Sequence, residues 1–177
     1  MKKYFLFSLT LLTVVFFSCE DEKKARIEVW LTDAPGDYQE VNIDLQGVEV
    51  TSSEADSEQG WRAVQVTPQA YDLLKLTNGM EALLGEVELP SGRLSQIRLK
   101  LGENNSIKVD DQVYPLATPS AQQSGLKIQL HEVLAEGATY KVLLDFDAAK
   151  SVVEGGTGSY SLKPVITASV DTQETTD

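Results

Sequence analysis

Among 177 residues there is one cysteine and one histidine. A lone thiol forms no intrachain disulfide, so the fold must draw its stability from an apolar core. With His131 as the single imidazole, the usual Ser-His-Asp and Cys-His nucleophiles and the His-rich zinc sites also lose their basis. Catalysis here would fall to carboxylates, lysine or tyrosine. Basic residues are scarce as well: 15 Lys and Arg stand against 27 Asp and Glu, and the net charge is −12. That balance argues against nucleic acid, whose phosphates demand a basic footprint. It also opposes adsorption to anionic lipid. No apolar run reaches the roughly 20 residues that span a bilayer comfortably.

The first residues carry the clearest signal. Lys2 and Lys3 precede an apolar run of 14 residues from Tyr4 to Phe17, the pattern of a secretory signal over residues 1–18. Phe16-Phe17-Ser18-Cys19 resembles the lipobox of bacterial lipoproteins, with phenylalanine where leucine is more usual, and is similar to the loose lipoboxes of Bacteroidetes. This resemblance implies that Cys19 is lipidated and heads the mature chain, a covalent membrane link in which each buried CH2 contributes about 0.8 kcal/mol. Glu20, Asp21 and Glu22 are similar to the acidic export signal of lipoproteins carried to the outer face of the outer membrane; a solvated tether over residues 19–25 is the simpler role for the same acids. The expectation is an outer-membrane lipoprotein, exposed at the cell surface. Without residues 1–18, 159 residues remain, with 13 basic side chains against 27 acidic ones.

Strand patterns dominate the rest. ARIEVWLTD alternates, with Ile27, Val29 and Leu31 on one face and Glu28, Trp30 and Thr32 on the other. EVNIDLQGVEV shifts phase at Gly47, which predicts a β-bulge. In YDLLKLTNGMEALLGEVEL the pattern predicts a strand to about Leu76 and a helical turn over Met80 to Leu84, separated by Asn78-Gly79. LPSGRLSQIRLKL is a turn feeding a strand with Ile97, Leu99 and Leu101 inward, and NNSIKVDDQVYPL is a hairpin about Asp110-Asp111. SGLKIQL and TYKVLLDFD follow, then a short helix in AAKSVV. SYSLKPVITASV forms a last strand whose Pro164 belongs at an edge or bulge. About eight short strands imply an all-β antiparallel sandwich over residues 26–170 with one or two short helices, ahead of a disordered tail over 171–177.

The blocks LTDAPGDYQEVNIDLQGVEV, LLKLTNGMEALLGEVELPSGRLSQIRLKLG, YPLATPSAQQSGLKI and LDFDAAKSVVEGGTGSYSLKPVI together resemble the bacterial family called domain of unknown function 4382, from about residue 25 to about residue 167. The resemblance implies a secreted or lipid-anchored β-sandwich akin to transthyretin-like or carboxypeptidase-regulatory modules, with no known activity. Leu94 departs from the pattern, which more often has tyrosine after the glycine turn; only a local packing contact is affected.

Four aspartates are candidate calcium ligands: Asp145 and Asp147 share a strand face, and Asp33 or Asp37 of TDAPGDY could join them, since calcium takes six to eight oxygens. The structural alternative has Asp147 capping the following helix, Asp145 paired with Lys150 or Lys163, and Pro35-Gly36 forming a plain turn. Candidate ligand contacts are Trp30 and Tyr38, as aromatic platforms, and Ser120, Gln122, Gln123, Ser124 and Lys127 in a polar loop suited to sugar or peptide. Trp30 and Trp61 are each a stacking platform if exposed and core filling if buried, Trp30 being the more interesting for its outward position, and His131, at a strand end, is expected to be a surface residue. The leading expectation is a non-catalytic envelope module that binds a glycan, peptide or envelope partner through loops at one end of the sandwich. The alternatives are a subunit of a surface assembly, and a hydrolase working with paired carboxylates.

Overall fold

The computed structural model describes residues 24–52, 60–118, 124–156 and 158–173. The signal segment, Cys19 and its acids, the ligand candidates Ser120, Gln122 and Gln123, and the tail from 174 onward lie outside the described residues.

Along the chain run β1 (Lys24–Asp33), β2 (Glu40–Thr51), β3 (Arg62–Ala63), β4 (Gln65–Val66), β5 (Gln69–Asp72), a 3-10 turn (Leu73–Leu76), β6 (Ala82–Pro90), β7 (Gly92–Leu101), β8 (Ser106–Val109), β9 (Gln112–Ala117), β10 (Leu126–Leu134), β11 (Thr139–Phe146), helix α1 (Ala148–Ser151), β12 (Val152–Gly155), β13 (Ser159–Leu162) and β14 (Ile166–Gln173). They form two sheets. One is five-stranded in the order β14-β11-β1-β6-β4, and the larger runs β10-β7-β2-β8-β9-β13-β12, with β3 and β5 added along β2.

Period-two alternation explains the core. Ile27, Val29 and Leu31 of β1, Val142, Leu144 and Phe146 of β11, and Ile97, Leu99 and Leu101 of β7 are buried together between the sheets. At roughly 1.5–3 kcal/mol for each fully buried aliphatic or Phe side chain, such a core can hold the fold without a disulfide. The all-β sandwich is as expected, but the sheets are mixed: β1 pairs β11 in parallel, as β13 does β9. Among the described residues the strands number 14 rather than about eight, because several long runs break into short ladders.

Local expectations divide likewise. The bulge at Gly47 is present, as a register shift between Leu45 and Gly47 against β7. The Asp110-Asp111 hairpin is present too, with φ of 48° and 61° at its two turn residues. The helical turn, however, precedes Asn78-Gly79 and does not follow it: residues 73–76 form the 3-10 turn that drives Leu73 into the core, and residues 82–84 already belong to β6. The last strand is two strands in different sheets. Between them residues 163–165 wrap helix α1, where the Lys163 and Val165 amides donate to the carbonyl and hydroxyl of buried Ser151 at 2.8 Å each. Strand β14 then runs to Gln173, three residues into the segment expected to be disordered.

Candidate functional site

The outer face of the five-stranded sheet is built around Trp30. Inward burial of Ile27, Val29 and Leu31 turns Trp30 outward, where it is half-buried. In register it lies beside Leu83 of β6 and Leu143 of β11, and Leu143 lies beside Ser169 of β14, so these four side chains form one row across the sheet. The β1/β6 register slips between Val29 and Trp30, a bulge of the kind that re-aims side chains. Leu83 is 46% exposed, and Met80, in the turn before β6, 61%. That turn is held where the Thr32 hydroxyl lies 2.9 Å from the Leu76 and Met80 carbonyls. Polar groups frame the ring: its Nε1 donates to Glu28 Oε2 at 3.2 Å, and the Lys141 ammonium, ion-paired with Glu81, stands 5.2 Å from the ring centroid. An amphipathic aromatic flanked by exposed aliphatics and by both signs of charge can stack on a sugar or peptide while hydrogen-bonding its edge.

The outer face of the larger sheet carries a second aromatic cluster, which sequence reasoning missed. Buried Arg98 of β7 donates through Nε to Glu49 Oε2 at 2.8 Å, and Lys100 donates to the other Glu49 oxygen at 2.6 Å. Burial acts to raise the Glu49 carboxyl, but the hydrogen bonds and charges of Lys100 and Arg98 outweigh it and hold Glu49 below its ordinary range. Trp61 lies over the guanidinium at 4.3 Å, and the Ser124 carbonyl accepts from Arg98 at 3.5 Å. Gly125 closes the cover: a Cβ there would stand 2.7 Å from the Arg98 side chain, and its φ of +73° suits glycine. The available signal was alternation, since Arg98 and Lys100 occupy the outward positions between Ile97, Leu99 and Leu101.

The four aspartates do not assemble as a calcium site. Among the described residues no group of three or more His, Cys, Asp or Glu is placed to hold a metal ion. Asp147 caps α1, accepting from the Lys150 amide at 2.9 Å and from its ammonium at 2.6 Å, and these bonds hold its carboxyl below the usual range. Asp33 is buried at the end of β1, where Oδ1 accepts from the Ala148 amide at 2.9 Å while Oδ2 has no partner among the described residues. Burial pushes its carboxyl up to about 6 against the pull of the Ala148 bond, with the charges of Asp147 and Asp145 adding to the rise. Asp145 and Asp37 are exposed.

Nor do the candidate ligand residues gather at one end. Tyr38 is half-buried against the core, with Tyr160 among its electrostatic neighbours; Ser124 precedes β10 and Lys127 lies within it; Trp30 lies on the opposite sheet. His131 is exposed on β10, as expected, but inside the strand and not at its end.

The model of the family described as "Domain of unknown function (DUF4382)" matches residues 24–164. The chain belongs to that family. A crystal structure described as a "putative cell adhesion protein" from Parabacteroides distasonis ATCC 8503 is similar at 12% identity and a TM-score of 0.37, over 84% of this chain and 51% of that one. The chain thus spans about half the length of that structure. No curated protein matches.

Proposed function

We propose that this member of the DUF4382 family is a non-catalytic envelope module, held to the outer membrane by lipid on Cys19, that binds a glycan or peptide partner. The contact is the outer face of the five-stranded sheet, not the loops at one end. The observation that carries this is the row of Leu83, Trp30 and Leu143, which leaves large apolar side chains at the surface with Lys141, Glu28 and Glu81 around them. Exposed aromatic surface rimmed by polar groups is characteristic of interaction sites.

Screening the full chain on glycan and peptide arrays, then repeating the hits with Trp30→Ala, tests the reading. Affinity should fall at least tenfold in that variant and stay within twofold in Trp61→Ala. Equal binding by wild type and Trp30→Ala would remove this face as the site, and hydrolytic turnover of an array ligand would favour a carboxylate enzyme instead.

A further inference from the structure

Sheet edges expose unpaired backbone groups, and folded proteins blunt them with short strands, bulges, proline or charge. Most edges here are blunted. β3, β4, β5 and β12 have two to four residues each. β10 slips register against β7 between Gln129 and Glu132 and carries Lys127, His131 and Glu132. β6 has a bulge, Glu86, Glu88 and Pro90, and β4 crosses it where a Cβ on Gly85 would stand 2.1 Å from the Gln65 carbonyl oxygen.

β14 is different. Its eight residues, ITASVDTQ, pair with β11 in unbroken register from Ile166 to Gln173, contain no proline or basic residue, and carry one charge, Asp171. Among the described residues no strand pairs its other edge. Beside it, between β14 and β10, runs a groove of about 580 Å3 lined in part by Leu126, Ile128, Ile166 and Ala168.

We propose that β14 pairs antiparallel with β14 of a second copy of this chain, about a two-fold axis at Ser169. The strand is complementary to itself in that register. Ala168 then faces Val170 and Ile166 faces Thr172, so the inward, mostly half-buried residues meet one another and close the open side of the groove. Thr167 faces Asp171, and the two Asp171 carboxylates sit four residues apart along the ladder, roughly 14 Å at about 3.4 Å per residue. That exceeds the Debye length of about 8 Å at physiological salt. The local charges are of both signs: Lys141 is the register partner of Asp171 and Asp145 that of Thr167, and Lys127 lines the groove.

The pairing does not depend on what Trp30 binds, but it acts on that face. Ser169 ends the row of Leu83, Trp30 and Leu143, so the dyad joins two such rows on one surface. The two Trp30 residues would be five strand spacings apart, roughly 24 Å at about 4.8 Å each. A repeating polymer could engage both, with the gain in avidity that linked sites give.

The test places Ser169→Cys in the full chain, whose one native cysteine is Cys19, and oxidises cells expressing it. A disulfide-linked species of twice the chain mass is expected from Ser169→Cys and not from Val113→Cys, at an exposed site on β9. Sedimentation of folded Ser169→Lys and Ser169→Asp should show monomers for each alone, and dimers restored on mixing. Equal cross-linking at Val113, cross-linking of position 169 only to a different protein, or an unchanged dimer in both charge variants would overturn the proposal. If Trp30→Ala abolishes ligand binding while the disulfide-linked dimer is absent, the binding face stands and the dimer falls.

Discussion

Trp61 and Trp30 are each partnered by a cation on the outer face of a sheet, and the two sites do opposite work. At Trp61 the cation is Arg98, buried and held from beneath by Glu49, with Gly125 closing over it. At Trp30 the cation is Lys141 near the surface, and exposed Leu83 and Met80 flank the site. In the first arrangement a half-buried indole covers a buried guanidinium whose carboxylate is itself part-buried. The second leaves aromatic and aliphatic surface for something else to cover. The cations differ in cover, with the Arg98 side chain 5% exposed and the Lys141 side chain 22%, and the aliphatic neighbours differ too, since only the Trp30 face carries exposed Leu83 and Met80.

The largest expected effect breaks the closed face. Glu49→Ala leaves the Arg98 guanidinium buried without its carboxylate, and unfolding titrations should show a loss of about 3–5 kcal/mol. A loss below about 1 kcal/mol would mean that water reaches Arg98 and the face is not closed. Because the Glu49 carboxyl is held low in the fold, its contribution is present above the ordinary carboxylate range and disappears as pH falls through its lowered value.

Asp33 has the opposite sign and serves as a control for that acid sensitivity. Its folded value of about 6 lies above the ordinary 3.8, so ionisation costs stability as pH rises between them, up to about 3 kcal/mol at 1.36 kcal/mol per unit. Asp33→Asn keeps the acceptor for the Ala148 amide and should flatten this slope. An unchanged slope from pH 4 to pH 7 would show that Oδ2 finds a proton donor.

Trp61→Ala should cost about 2 kcal/mol from lost packing and cation-π contact, read as a lower Tm with ligand binding intact. Trp30→Ala should cost less than about 1 kcal/mol, since its ring covers a part-exposed Lys141 and not a buried guanidinium, while removing binding. If both variants lose the same stability, the distinction between the faces fails. The smallest expected effect is that of calcium: with Asp147 committed to Lys150, 1 mM calcium should move Tm by less than about 1 °C, and a larger rise by mass action would restore the aspartates as a site.

Much of the fold was legible because it is written in local periodicity. Ile27, Val29 and Leu31, the slip at Gly47, and the Asp110-Asp111 turn each depend on neighbours a few residues away. What escaped depends on partners far along the chain. Glu49, Trp61 and Arg98 meet only because β2 and β7 pair, and the parallel ladder of β1 and β11 joins residues 24–33 to residues 139–146. The run SYSLKPVITASV alternates as one strand would, yet Ser151 bends it into two. The Trp30 platform was half legible. Its outward position follows from alternation, but its neighbours Leu83 and Leu143 follow only from register.

The central place of β1 has a mechanical consequence. β1 is laddered on both sides, to β6 and to β11, over nearly its whole length. Tension entering through the residues before Lys24 runs along the strand axis and across the interstrand hydrogen bonds, so it loads both ladders in shear and must break many bonds together, where an edge strand peeled sideways would yield one at a time. A load applied at the Lys24 end of β1 is thus shared by two ladders at once.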